Sequence, residues 1–342
     1  MLPTKSKILI LLEKNKGRLL SGSEIAKHLR VSRSAVWKGV EELRRDGYSI
    51  SAITNKGYTL LGKNDILSAE GLLVHLKNSF IAYDDIHIFE SIGSTNIEAK
   101  KLAVAGYGQG TLVMAEEQVE GRGRLGRSFF SPKGTGLYMS VILRPDDMAF
   151  EAVLATTAAA VAVCRALYEL LNIEGKIKWV NDIFVDDSKV CGVLAEAVSD
   201  FQTGTIESLV IGVGINILTN PDKFPKEIKG TAGSLLNEPG NISRNQIAAK
   251  ILDELFNLIF TEDPEEMIEE YRKLSFIPGK LITVYRGNET FDAKALEIDN
   301  KGSLIIEKLN GKIETLRSGE VSVRQARQAS PHIKGEQNEK EL

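Results

Sequence analysis

Apolar positions recur at helical spacing from the start of the chain. Ile8, Leu11 and Leu12 predict one apolar helix face. Ser21 followed by Glu24 predicts a capping box for a second helix that buries Ile25 and Leu29. After a tight turn at Arg30-Val31, Ser32 is placed to cap a third helix carrying Val36, Val40 and Leu43 at helical intervals. Its outer face, near the N-terminal end, then presents Arg33, Ser34, Trp37 and Lys38. Tyr48 to Leu60 alternates as two strands around Thr54-Asn55-Lys56-Gly57. Val153 to Leu171 is an alanine-rich helical stretch. Leu209 to Ile217 (LVIGVGINI) reads as a buried strand, and Leu281 to Val323 as short strands with turns at Arg286-Gly287-Asn288, Asp299 to Gly302 and Asn310-Gly311.

Composition narrows the class. A length of 342 residues predicts two or three domains, and 43% hydrophobic with 26% charged residues is ordinary for a globular protein. The two cysteines, Cys164 and Cys191, make no disulfide framework and no CxxC pair, which suits a reducing compartment. Ile8 to Leu12 is too short for a signal sequence. Thr156, Thr157, Arg165 and Glu169 interrupt the Val153–Leu171 stretch, so a buried helix is expected there, not a membrane span. The chain is expected to be cytoplasmic.

Charge is divided unevenly. Residues 1–60 hold 12 Lys and Arg against 5 Asp and Glu, leaving 31 against 41 for the rest. A basic head on an acidic body implies that only the head meets a polyanion. Three helices with a basic outer face and a two-stranded wing are the parts of a winged helix-turn-helix, with Lys56 within reach of a DNA backbone. A solvated three-helix bundle used for protein contacts is the alternative.

Residues 121–127 read GRGRLGR, which fits the dinucleotide pattern G-x-G-x-x-G. That pattern must open a helix, and the following Ser128 to Gly136, with Pro132 and two glycines, cannot. No Walker sequence occurs either. Three glycines allow close backbone approach, and three arginines supply fixed positive forks, a combination suited to gathering a carboxylate and a triphosphate. A flexible basic loop without ligand remains the alternative. Further on, Lys178-Trp-Val-Asn-Asp-Ile183 reads as a strand ending in polar residues, Asp186-Asp187-Ser188 as a turn, and Lys189 to Glu196 as the returning strand. Lys189 thus stands across a hairpin from Asn181-Asp182. Asn216, near the end of a buried strand, reads on its own as a turn residue satisfying backbone groups.

These pieces, in this order, resemble a bifunctional biotin protein ligase and biotin operon repressor, from about Ile8 to Arg324. The resemblance rests on SIGSTN (91–96), Gln118, GRGRLGR (121–127), KWVNDI (178–183), SKVCGVLAE (188–196), GVGIN (212–216) and SGEVSVR (318–324). Val180 departs from the family's usual proline, and Cys191 from a common alanine. The resemblance implies an α+β multidomain chain: a winged helix-turn-helix (1–62), a central α/β ligase domain with a mixed sheet (63–276), an SH3-like C-terminal barrel (277–325) and a disordered tail (326–342). It implies that Ser94, Thr95, Asn96, Gln118, Arg122, Gly123 and Arg124 hold biotin, and that Lys189 bridges its carboxylate and the α-phosphate of ATP. Arg127, Asn181, Ile215 and Asn216 would surround the adenylate.

The implied catalytic residues are Lys189, Arg127 and Asp182, with Mg²⁺ arriving on ATP and no protein metal ligands. Asp182 either orients or deprotonates the acceptor amine or has a structural role beside Lys189. The implied partners are a biotin carboxyl carrier domain, operator DNA and a second copy of the chain, with no membrane. A non-catalytic biotin-sensing repressor and a lipoate ligase on a related fold are the competing readings.

Overall fold

The computed structural model describes residues 2–53, 56–62, 65–144, 152–199 and 204–323. The Thr54-Asn55 turn, Arg324 and the tail from 326 lie outside them.

The head is built from α1 (Thr4–Lys14), α2 (Gly22–Leu29), α3 (Arg33–Arg45), β1 (Ile50–Ile53) and β2 (Gly57–Leu60). Ile8, Leu9 and Leu12 of α1 meet Ile25, Val36, Val40, Leu43 and Leu60 in one closed core. The apolar face of α1 is therefore turned one position from the expected one, with Leu9 inside and Leu11 only half-buried, because α1 packs against both α3 and a further helix of the body. Ser21 accepts from the Glu24 N–H at 3.0 Å, but the Glu24 carboxylate lies 3.6 Å from Arg18, so only half of the capping box forms. Ser32 caps α3 by accepting from the Ala35 N–H. The wing closes onto the helices where Leu20 and Tyr58 exchange backbone hydrogen bonds. A Cβ on Gly57 would stand 2.0 Å from the Leu20 carbonyl oxygen, so only glycine permits that approach.

The body is a seven-stranded sheet of β3 (Ile86–Phe89), β4 (Leu112–Ala115), β5 (Gly136–Leu143), β6 (Lys176–Lys178), β7 (Asp182–Val185), β8 (Ser188–Ser199) and β9 (Ile206–Asn216). Its order is β3-β4-β5-β9-β8-β7-β6, parallel only between β3 and β4. Helix α5 (Thr95–Val104) covers one face through Ala99 and Ala103, packed on Val113, Ile142 and Val210. The other face is covered by α6 (Ala152–Leu171) with α7 (Arg244–Phe260) and α8 (Pro264–Leu274). Ala155, Ala158, Ala159, Ala162 and Ala166 of α6 are fully buried, and their short side chains let neighbouring elements approach closely. The window Leu154–Leu171 is long and apolar enough to cross a membrane, yet 67% of it is buried in the protein, as expected of a core helix. Helix α4 (Ala69–His75) links head and body: α1 packs on it, and the Tyr83 hydroxyl joins Ser6 of α1 to Glu70.

The C-terminal part is a five-stranded antiparallel sheet in the order β13-β12-β11-β10-β14: β10 (Leu281–Arg286), β11 (Glu289–Ile298), β12 (Leu304–Lys308), β13 (Ile313–Leu316) and β14 (Glu320–Val323). Its turns fall where the sequence places them. One expectation fails. Residues 178–183 are not one strand but the bend of a hairpin, with β6 ending at Lys178 and β7 starting at Asp182. Trp179 and Val180 are both buried where an alternating strand would expose one of them. Trp179 Nε1 donates to the Gly302 carbonyl at 3.0 Å and the Tyr271 hydroxyl donates to the Val180 carbonyl, so the bend is held from two sides.

Candidate active site

Three glycines make the floor of a small pocket. Gly192 on β8 faces Gly214 on β9, and Leu194 faces Gly212. A Cβ on Gly212 would lie 2.0 Å from Asn96 Oδ1, and one on Gly214 would lie 2.7 Å from the Phe129 ring. Bare backbone therefore lets the start of α5 and the arginine loop descend onto the sheet. Ser94 at the N-cap position, Thr95 and Asn96 form one wall, and Gln118, Arg122 and Phe129 another.

The wall is polar and internally bonded. Gln118 Oε1 accepts from the Thr95 N–H at 2.9 Å, while Gln118 Nε2 donates to Ser131 Oγ at 2.9 Å. Asn96 Nδ2 donates to Glu196 at 2.8 Å and to the Leu194 carbonyl at 3.2 Å. Glu196 also holds Lys100 at 2.5 Å. Burial alone would raise the Glu196 carboxyl pKa, but hydrogen bonds from Lys100 and Asn96 bring it below the ordinary carboxylate range.

Beside the pocket, Lys189 Nζ lies 2.7 Å from Asp182 Oδ1. A bulge makes this pairing possible. Ile183 pairs with Cys191 but Phe184 pairs with Lys189, so Val190 is an extra residue in β8. The insertion turns Lys189 onto the face that carries Asp182 and Gly192, where strict alternation would send it to the other. A Cβ on Gly192 would be 3.4 Å from Lys189 Nζ. Lys178 pairs across the hairpin with Asp182, and its pKa is lowered by burial and by neighbouring Lys189 and Arg127, against the pull of Asp182 and Glu320.

The loop over this cluster contains one short 3₁₀ turn, Arg124–Gly126, and no α-helix. Its ends are joined by the Arg122–Ser128 bridge and by the Phe129 N–H donating to the Gly121 carbonyl. Burial lowers the Arg124 pKa, and its guanidinium donates to Asn181 Oδ1 at 3.0 Å. Asn181 Nδ2 in turn donates to the Val193 carbonyl. Arg127 meets Glu320 of the C-terminal sheet at 2.6 Å. The Gly123 N–H donates to the Arg127 carbonyl. Asn216 is buried, with Nδ2 donating to the Gly233 carbonyl and Oδ1 without a partner, an orphan acceptor that a ligand can satisfy. Ile215 stands apart from the other candidates, its side chain lying wholly within the main core.

Most of the predicted residues thus converge around one pocket and loop. Lys178, Glu196, Glu320 and the floor glycines lie within the quoted motifs but carry no role in the sequence reading, and Ser140 is not singled out there. The two-residue spacing of Gly212 and Gly214 was an available signal, since it clears one face of a strand. On the head, Arg33, Ser34, Trp37 and Lys38 are exposed along α3, with Trp37 59% accessible, and Lys56 is exposed at the wing.

Three families match successive parts of the chain: an HTH domain over residues 4–59, the Biotin/lipoate A/B protein ligase family over 88–216, and the Biotin protein ligase C terminal domain over 279–324. The chain is 36% identical over 321 residues to the bifunctional ligase/repressor BirA of Bacillus subtilis (strain 168), across 89% of this chain and 94% of that protein. The chain belongs to the bifunctional ligase/repressor family. The Escherichia coli (strain K12) member is 28% identical over 314 residues, across 91% of this chain and 94% of its own. The biotin protein ligase from Aquifex aeolicus in complex with biotin and ATP superimposes with a TM-score of 0.58 at 28% identity. That match covers 70% of this chain and 99% of the solved one.

Proposed function

We propose that this family member activates biotin with ATP, transfers it to a lysine of a biotin carboxyl carrier domain, and represses transcription through its N-terminal head. The observation that carries the reading is the junction of a small polar pocket with the Lys189–Asp182 pair beneath an arginine loop. Biotin's ureido head suits a wall of hydroxyl and amide groups, whereas the dithiolane of lipoate offers those groups nothing to bond.

In the first step the biotin carboxylate attacks the α-phosphate, forming a mixed anhydride with AMP and releasing pyrophosphate. Repulsion between anions dominates that barrier, so fixed positive charge near the α-phosphate lowers it. Lys189 bridges carboxylate and phosphate in this reading, with Lys178 and Arg127 adding charge nearby. Mg²⁺ on the triphosphate supplies further neutralisation. Ser94, Thr95, Asn96, Gln118, Arg122, Gly123 and Arg124 bind biotin, and Asn181, Asn216 and the backbone at Ile215 bind the adenylate. In the second step the acceptor amine attacks the acyl carbon and AMP leaves. In this reading Asp182, paired with Lys189, orients that amine.

The head, with Arg33, Ser34, Trp37, Lys38 and Lys56 facing outward, reads operator DNA as one half of a homodimer. We assign residues 1–62 to the DNA-binding domain, 63–276 to the catalytic domain and 277–325 to the C-terminal domain. The test is exchange of labelled pyrophosphate into ATP. Exchange that requires biotin and is not supported by lipoate sustains the assignment. Exchange with lipoate alone, or none with either acid, overturns it.

A further inference from the structure

The bend between β6 and β7 leaves one polar group of the site uncommitted. The Asn181 carbonyl accepts from the Val193 N–H at 2.9 Å, its Nδ2 donates to the Val193 carbonyl at 2.7 Å, and its Oδ1 accepts from Arg124 at 3.0 Å. Its side chain is thus committed to β8 and the arginine loop. The Asn181 N–H has no acceptor among the described residues. A half-buried backbone donor calls for a partner, and its neighbours are cations. Arg124 sits on the Asn181 side chain, Lys178 starts the same bend, and Lys189 is paired with the adjoining Asp182.

The direction of that N–H is set from the far side of the sheet. Tyr271 on α8 is wholly buried and donates its hydroxyl to the Val180 carbonyl at 3.0 Å. Burial pushes the phenol well above its ordinary range, so the proton stays on the hydroxyl, with Arg124 and Asp182 close enough to act on it. The Val180–Asn181 peptide is planar and trans, so its N–H points opposite to a carbonyl aimed at α8. Helix α8 packs with α6 on one face of the sheet, whereas Gly192, the start of α5 and the arginine loop meet on the other. Holding the carbonyl from one side therefore aims the N–H into the site.

We propose that Tyr271 is a positioning residue for adenylation: its hydroxyl holds the Val180–Asn181 peptide so that the Asn181 N–H donates to a phosphoryl oxygen of the α-phosphate. The inference rests on the biotin and ATP reading of the site and names the atom through which Asn181 meets the adenylate. In that step a carboxylate oxygen of biotin bonds to the α-phosphorus. The bond to the bridging oxygen breaks, and pyrophosphate leaves with the electron pair. Charge gathers on the non-bridging oxygens, and a donor already fixed there stabilises it without reorganising. Accepting from Tyr271 also polarises the peptide and strengthens its N–H as a donor. Lys189, Lys178 and Arg127 bring charge on long side chains, whereas the N–H adds direction. Without the hydroxyl the Val180 carbonyl loses its partner and the peptide is free to turn, while the pocket wall at Ser94, Thr95, Asn96 and Gln118 is untouched.

Val180-Asn181 is the only Val-Asn pair in the chain. Valine labelled at its carbonyl carbon and asparagine labelled at its backbone nitrogen therefore give one cross-peak in a spectrum correlating the two nuclei, and it reports this peptide alone. In the wild type the amide proton of that peak should move downfield with biotin and ATP together and stay in place with biotin alone. A peak that stays in both, or moves as far with biotin alone, overturns the proposal. Tyr271→Phe keeps the ring and removes only the hydroxyl. Its pyrophosphate release at saturating biotin and ATP should fall roughly tenfold, part of the roughly 10²–10³ that outright loss of such a donor costs. KM for biotin should stay within about twofold, since binding common to ground and transition states is not altered. A lower melting temperature with an unchanged rate makes the hydroxyl a support of the fold alone and overturns the proposal, as does a raised KM with kcat unchanged. The labelled peak is read on the wild type, so the test stands even where the variant fails to fold. A wild type without biotin-dependent pyrophosphate exchange would instead defeat the underlying reading of the site.

Discussion

Lys189 reaches Asp182 because the β7–β8 ladder carries an extra residue at Val190, and one residue of register decides which side of the sheet the ammonium occupies. The motif made Lys189 legible in the sequence, since a lone lysine opposite Asn181-Asp182 is conspicuous. Lys178 and Ser140 were not legible, because a lysine and a serine within apolar strands look like ordinary strand positions until their neighbours are placed. Lys189→Ala should slow pyrophosphate release by roughly 10²–10³-fold, typical for one electrostatic donor at a developing charge, while biotin binding changes less. Stopped-flow release of pyrophosphate checks this, and a rate within a few-fold of wild type contradicts it. The two cysteines give a second prediction. Burial pushes the Cys164 thiol up to about 12 and Cys191 well above its ordinary range. Native protein at pH 8.5 should resist iodoacetamide at both, and both should react in denaturant. The sign for stability follows. These thiols are neutral in both states below the unfolded pKa, so their contribution is intact there and is lost as pH rises through the folded values.

Elements carry the next level of control. The loop from Gly121 to Arg127 is tethered at two points, Arg124 to Asn181 of the body and Arg127 to Glu320 of β14. Its composition showed that no α-helix could form and that anions would suit it. The tethers could not be foreseen, since Glu320 lies almost two hundred residues away in sequence. The bend at 179–181 was hidden for a related reason. Trp179 and Val180 look like strand residues, and only the C-terminal sheet, through Gly302, gives the indole its partner. Three glycines keep the loop costly to order, and its arginines repel until anions arrive. Amide exchange across 121–127 should therefore slow when biotin and ATP are both added. Equal protection in the two states would mean that the loop does not order over the adenylate.

At the scale of the whole molecule, the head is joined to the site through buried charge. Arg244 at the start of α7 binds Asp65, just beyond the head, at 3.0 Å and Glu116, at the exit of β4, at 2.7 Å. Glu116 also accepts from the Leu67 N–H, and two residues later Gln118 enters the pocket wall. The basic head and acidic body were visible in the charge distribution, whereas this junction appears only when the chain is folded. A ligand can favour DNA binding only through a difference in its affinity for the two assembly states. If each head neutralises about four phosphates, a dimer's log K should fall with log salt at a slope of about −7. A salt titration of operator affinity with and without biotinyl-AMP, run beside sedimentation, checks this. Equal affinity in both states would remove the coupling.

The most direct test of the central claim is intact-mass spectrometry of an isolated biotin carboxyl carrier domain incubated with this chain, biotin and ATP. The account predicts one added biotin on a single acceptor lysine, dependent on ATP, with one pyrophosphate released per biotin transferred. An acceptor whose mass is unchanged while the chain still binds biotin and operator DNA would contradict it, and would leave a sensor without catalysis.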